Sequence, residues 1–335
     1  MLVVIPCLNE RTHIGRLVDE VVQDSASLDV LVAVADGGST DGTLEAVRTI
    51  ANADPRVRVI SNVKRIQSAG VNLAARTLGE GRRWLVRIDA HADYPKGYIS
   101  RLIQEASCTG AASVVVAMTS RGDACFQRAA AVAQNSVLGA GGAAHRRGGK
   151  AEFVDHGHHA LFELKRFLAI GGYDETLSHN EDAEFDVRLT RAGGKIWLTR
   201  AVNVVYFPRE KPGALFRQYM NYGRGRASTI MRHRMRPKVR QMLPACVLPA
   251  LFALALAPWL PLAVGPALFW TIACLLIGTA LGVRERRRCA YASGLAAMII
   301  HLGWSIGFWS ELTKVAAFRA GDTLKGASPP GVARS

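Results

Sequence analysis

VLVAVADGGSTDGT, residues 30–43, is a short β-branched run that breaks at an acidic residue, two glycines and a helix start. Such a run is too short for a helix and ends in turn residues, so it reads as a strand feeding a loop. Asp36 closes the strand, while Gly37 and Gly38 let backbone approach a ligand closely. A helix is expected from the Ser39-Thr40-Asp41 turn, with Leu44, Val47 and Ile50 on one face. Upstream, LVVIP (2–6) is a second such strand, and Ile14, Leu17, Val18, Val21 and Val22 recur at helical spacing across 10–24. Downstream, VRVI (57–60), WLVRI (84–88) and SVVVAM (113–118) continue the series. Strands alternating with helices predict an α/β, doubly wound, mostly parallel sheet. Its ligand crevice lies at the carboxyl ends of the strands, where IPCLNE, ADGGSTDG and IDAHAD sit.

The charge distribution divides the chain. Residues 1–199 carry 23 Lys/Arg against 23 Asp/Glu; residues 200–335 carry 19 against 4, which accounts for the net +15. The basic part is also the apolar part, which points to anionic lipid as partner and away from nucleic acid. Residues 243–264 and 265–283 are almost uncharged, broken by Pro258, Pro261, Gly265 and Pro266, and each approaches the ~20 residues that span a bilayer. MRHRMRPKVR (231–240) and RERRR (284–288) flank this hairpin and are expected on the cytoplasmic side. A third stretch, 289–310, either spans, placing Lys314, Arg319 and Lys325 outside, or lies in the interface. The expected organisation is a cytoplasmic domain at 1–230, a basic segment at 231–242, a membrane region of two or three helices at 243–312 and a tail at 313–335. MLVVIPCLNE lacks the pattern of a secretory signal, and six cysteines without CxxC spacing read as small buried thiols in a reducing compartment.

Three further segments carry chemistry. IDAHADYP (88–95) places Asp89, His91 and Asp93 after a strong strand, where alternate donors can grip a divalent cation that in turn holds a diphosphate. HNEDAEFDVRL (179–189) puts Glu181, Asp182, Glu184 and Asp186 at a helix start; they either complement the helix dipole or supply a general base. VDHGHHALF (154–162), read as a loop, offers His156, His158 and His159.

In this order and spacing the motifs resemble the family 2 inverting glycosyltransferases of the GT-A fold. The resemblance implies that Pro6, Asn9, Glu10 and Asp36 line a uridine pocket with Asp89. It implies that Asp89 and His91 stand at the family's metal-binding Asp-x-Asp, for Mn²⁺ or Mg²⁺, and that Asp182 is the catalytic base. IDAHADYP, the GHHA segment and RQYMNYGRGR (217–226) look most like the succinoglycan-biosynthesis subgroup. This implies a UDP-sugar donor, a polyprenyl-diphosphate-linked acceptor at the plasma membrane, and acceptor or diphosphate contacts from His158, His159, Glu181, Gln218, Arg224 and Arg226. Two other readings compete. A nucleotidyltransferase would carry a Gly-rich, Lys/Arg-containing phosphate loop that PCLNE lacks; a degenerate sugar-nucleotide-binding membrane protein would show no turnover.

Overall fold

The computed structural model describes residues 1–90, 92–141, 150–177 and 179–325; the side chains of Ala140, His159 and residues 315–325 fall outside that description. Eight strands form one sheet: β1 Leu2–Cys7, β2 Leu31–Asp36, β3 Val57–Ser61, β4 Trp84–Arg87, β5 Ser113–Ser120, β6 Glu152–Val154, β7 His158–Glu163 and β8 Ile196–Tyr206. Seven helices accompany its first seven strands and the turn beyond: α1 Arg11–Asp24, α2 Thr43–Ala53, α3 Gln67–Leu78, α4 Tyr98–Thr109, α5 Cys125–Asn135, α6 Val137–Ala140 and α7 Leu164–Ala169. Then come α8 Glu181–Arg191, α9 Pro212–Arg232, α10 Val239–Ala245, α11 Val247–Ala253, α12 Gly265–Glu285 and α13 Ser293–Lys325.

The sheet order is β3-β2-β1-β4-β7-β5-β8-β6. Neighbours β3, β2, β1 and β4 run parallel, as do β5 and β8, while β7 lies antiparallel between β4 and β5. Continuous apolar runs fit a sheet covered on both faces. In β1, Val3 and Ile5 pack with Ile14, Leu17 and Val18 of α1 and Leu102 of α4, whereas Leu2 and Val4 pack with Val71 and Ala74 of α3 and Phe185 of α8.

The parallel strands fall where the apolar runs place them. VDHGHHALF is different: only 155–157 connects β6 to β7, and His158 and His159 belong to a strand, not a loop. Val114 and Val115 of β5 pair with Leu161 and His159, and a side chain at Gly157 would collide with Val115. The close approach of two strands therefore demands glycine there.

Glu175, in the GGYDE turn, ties that turn to α3 by accepting from Lys64 Nζ (2.6 Å), Asn72 Nδ2 (2.8 Å) and Arg76 (3.1 Å). Burial would raise its carboxyl, but these donors hold it at about 2. The stability it supplies is present above the ordinary value of 4.5 and is lost as pH falls towards about 2. Glu175→Gln is expected to cost about 1–3 kcal/mol at neutral pH. Thermal melts of the detergent-solubilised chain check this; an unchanged midpoint would contradict it.

Among the described residues, three helical segments are long and apolar enough to cross a membrane: Val239–Leu256, Pro261–Glu285 and Arg288–Lys314. The break between the first two comes earlier than residue 264, because Pro258 and Pro261 interrupt the backbone hydrogen bonds there. The segments differ in burial: the first two are mostly exposed, and the third is the most buried of the three. In the third, α13 lies along α9, with backbone contact that only glycine allows at Gly223, Gly303 and Gly307. It also continues as helix beyond residue 312 into the expected tail.

The cysteines do not form six buried thiols. Cys125 and Cys289 are bonded, with Cα atoms 5.2 Å apart, and Cys108 and Cys246 are exposed; Cys7 and Cys274 are buried. The packing of α13 on α5 brings the start of α5 to the turn before α13, joining residues 164 apart in sequence. Spacing alone carries no sign of such a pair.

Candidate active site

Two loops meet at the ends of β1 and β2, where Cys7 pairs with Asp36. Asn9 locks them together: its backbone N–H donates to Ser39 Oγ (2.9 Å) and its Oδ1 accepts from the Thr40 N–H (2.8 Å). The Glu10 N–H donates to Thr43 Oγ1 (2.9 Å), and Pro6 lies in β1 opposite Ala35. Asp36 is buried and accepts from the Gly38 N–H (2.9 Å) and Ser39 Oγ (2.5 Å). Burial pushes the neighbouring Cys7 thiol up to about 12, and the Asp36 charge adds to the effect. Pro6, Asn9, Glu10 and Asp36 thus lie together at the carboxyl ends of adjacent strands, outside the lining of the cleft described next.

On the other side of β1, β4 carries Arg87, which leads to Asp89. A cleft of about 680 Å³ opens here, between β4, β7, the start of α8 and one face of α9. Arg87 is its hub, at 5% exposure. Its Nε lies 3.2 Å from Asp89 Oδ1, and its Nη1 lies 2.8 Å from Asp182 Oδ1, 3.2 Å from Glu181 Oε1 and 3.2 Å from Tyr173 Oη. Burial would lower Arg87, but Asp182, Asp89 and Glu181 outweigh it and keep the guanidinium firmly protonated. Removing it would strand carboxylates away from water, a cost on the order of 3–5 kcal/mol. Sequence reasoning missed this residue, although a lone arginine inside the apolar run WLVRI was a visible signal.

Asp89 is held from several sides. Its N–H donates to Tyr94 Oη (2.7 Å), and Gln67 Nε2 donates to its Oδ1 (2.5 Å). His158 Nε2 stands 3.5 Å from Asp89 Oδ2 while its Nδ1 is 4.0 Å from Asp182 Oδ2, so one imidazole lies between the two carboxylates. His91 lies outside the described residues, as does the side chain of His159.

Of the acidic cluster at α8, only Glu181 and Asp182 line the cleft. Glu184 pairs with Arg188 and His233, and Asp186 Oδ2 is 2.6 Å from His156 Nδ1, so these two bind structure together. Asn180, in the left-handed region at φ 67°, turns the chain into the helix. Burial first, then Asp182, raises the Glu181 carboxyl to about 7 against the pull of Arg87.

The α9 wall is polar: Arg217, Gln218, Asn221 and Tyr222 face the cleft, with Tyr206, Arg209 and His179 beside them. Gln218 Nε2 donates to Tyr206 Oη (2.6 Å) and Tyr222 Oη (3.1 Å). Arg224 and Arg226 are not in this wall. Arg224 lies two turns beyond Arg217 and Arg226 one turn beyond Tyr222, so they stand further along α9, past the lining of the cleft. Arg224 Nε reaches Ser310 Oγ of α13 at 3.4 Å. Arg226 is half-buried, and its desolvation lowers it to about 10, with Arg240 contributing.

Among the described residues, no group of three or more His, Cys, Asp or Glu forms a metal cage. One carboxylate with an imidazole beside it is nevertheless a fitting donor set for a hard divalent ion whose other ligands come from substrate phosphates and water.

Residues 2–166 match the family described as Glycosyl transferase family 2. Succinoglycan biosynthesis protein ExoA of Rhizobium meliloti (strain 1021) is 50% identical over 313 residues, 93% of this chain and 94% of that protein. The mannosyltransferase PcManGT from Pyrobaculum calidifontis, solved in complex with GDP-Man and Mn²⁺, superposes with a TM-score of 0.54 at 18% identity, covering 90% of this chain and 86% of that one. That is a likeness of fold.

Proposed function

The chain belongs to glycosyl transferase family 2, and from that premise we propose a membrane-bound inverting hexosyltransferase that moves a sugar from a UDP-sugar to a polyprenyl-diphosphate-linked saccharide. The product feeds exopolysaccharide synthesis, a role supported by half-identity to a succinoglycan biosynthesis protein along nearly its whole length. Residues 1–230 form the catalytic unit on the cytoplasmic face, joined through 231–242 to the membrane region at 243–312. The basic segments 231–240 and 284–288 support that orientation.

One observation carries the reading: Asp182 and Asp89 sit in one cleft, joined by Arg87 and separated by His158. Asp89, together with Pro6, Asn9, Glu10 and Asp36, holds the donor side. Asp182 serves the acceptor side. The acceptor hydroxyl oxygen attacks the anomeric carbon, the bond from that carbon to the diphosphate oxygen breaks, and UDP leaves with the electron pair. The hydroxyl proton passes to Asp182, whose position and charge Arg87 maintains. When bound at Asp89, with His158 beside it and His91 as a further donor, Mn²⁺ or Mg²⁺ supplies neutralisation of the charge growing on the diphosphate. Glu181, Gln218 and the other polar groups of the α9 wall orient the acceptor. The membrane segments keep a lipid-linked acceptor near the cleft, raising its effective concentration.

Inversion is testable directly. With an α-linked donor the new linkage is expected to be β, read from anomeric proton couplings of the isolated product; an α-linkage would overturn the single-displacement mechanism.

Glu181 supplies a pH signature. As pH rises through about 7 its carboxyl loses its proton and places a negative charge beside Asp182, strengthening the base. Transfer is expected to rise through that range. In Glu181→Gln the rising limb should vanish while turnover persists; an unchanged pH profile would remove Glu181 from the account.

A further inference from the structure

A second cavity, of about 590 Å³, shares no lining residue with the catalytic cleft. It lies where the β5–α5 junction meets the end of α12. Met118 of β5 lines the cleft, and Ser120, two residues on, begins this cavity. Arg121 and Arg128 stand on one wall and Arg284 and Arg287 on the other, against two carboxylates, Asp123 and Glu285. Arg128 Nε donates to the Gly122 carbonyl (3.2 Å), which tethers its guanidinium at the rim. The Cys125–Cys289 bond joins the two walls, since Cys125 opens α5 and Cys289 follows the 284–288 run.

The chemistry changes along α12. Ile277, Leu281 and Arg284 follow at i, i+4 and i+7, so one stripe of this exposed, membrane-length helix passes from hydrocarbon to guanidinium as it enters the cavity. That is the polarity profile of a bilayer leaflet from acyl chain to headgroup. The four arginines give the cavity a net positive charge that suits a phosphodiester. A zwitterionic headgroup would bring its own ammonium against them.

We propose that this cavity binds an anionic glycerophospholipid, with its phosphate between the two arginine walls and one acyl chain along Ile277 and Leu281. The bound lipid seats the end of β5 and the start of α5 against the leaflet. The site is independent of which sugar the enzyme transfers.

The test is lipid retention by the full-length chain in mild detergent, read by native mass spectrometry. Phosphatidylglycerol and phosphatidylcholine of equal chain length are offered together. The wild type is expected to retain phosphatidylglycerol selectively. Arg284→Gln/Arg287→Gln should weaken that retention about thirty-fold, from two cations near the lipid surface. Arg121→Gln/Arg128→Gln, on the opposite wall, should do the same. Arg234→Gln/Arg236→Gln removes two exposed cations outside the cavity and should change retention by less than about three-fold. Equal retention of the two lipids would overturn the proposal, as would equal effects of all three double variants. Displacement of the lipid by millimolar inorganic phosphate would also overturn it, because the cavity would then recognise free phosphate without the acyl chain.

Discussion

Asp182→Asn is expected to lower transfer by about 10²- to 10⁴-fold, the range for loss of a general base, while UDP affinity stays within a few-fold of wild type. The substitution keeps the side-chain volume and leaves an amide oxygen for Arg87, which lies 2.8 Å from Asp182 Oδ1. It removes the charge that accepts the proton. Arg87 remains paired with Asp89 and Glu181, so the site keeps its other ion pairs. Steady-state kinetics together with UDP titration separate the two effects. A large loss of UDP binding would move Asp182 to the donor side.

Asp89→Ala is expected to act on the donor: UDP affinity falls roughly 10- to 100-fold, the usual effect of weakening a metal site, and turnover falls by a further ~10²-fold or more. The variant also deprives Gln67 and Arg87 of a shared acceptor, so melting curves must accompany the kinetics. In parallel, excess EDTA should abolish wild-type transfer and added Mn²⁺ or Mg²⁺ should restore it. Full activity in EDTA, or wild-type UDP affinity in the variant, would take the cation and Asp89 out of the donor site.

How much of this was legible in sequence followed from how locally each feature is encoded. β1, β2 and β4 are apolar runs ended by turn residues, and their order placed Asp36 and Asp89 on either side of β1 at the mouth of a crevice. The separation of Glu181 and Asp182 from Glu184 and Asp186 was not legible. It depends on His156 and His233 arriving from distant segments, beside Arg188 one turn further along α8 from Glu184. Nor was β7 legible as a strand, since HHALFE opens with two histidines and its partners come from 40 or more residues away. Arg87 stood in plain sight, and its role became clear only when three carboxylates converged on it. Gln218, Arg224 and Arg226 of RQYMNYGRGR are expected together at the acceptor or diphosphate, but Gln218 bonds Tyr206 at the cleft while Arg224 reaches Ser310 of α13. The packing of α13 on α9 and the Cys125–Cys289 bond are long-range facts with no local pattern behind them.

The most direct test is to supply membranes containing the full-length chain with Mn²⁺, a lipid extract and a panel of labelled nucleotide sugars, and to follow label into the solvent-extractable lipid fraction. One UDP-hexose is expected to label a lipid-linked saccharide that mild acid releases, and membranes carrying Asp182→Asn are expected to leave that fraction unlabelled. Absence of lipid-linked label from every donor in the panel, or equal labelling by the Asp182→Asn chain, would contradict the account.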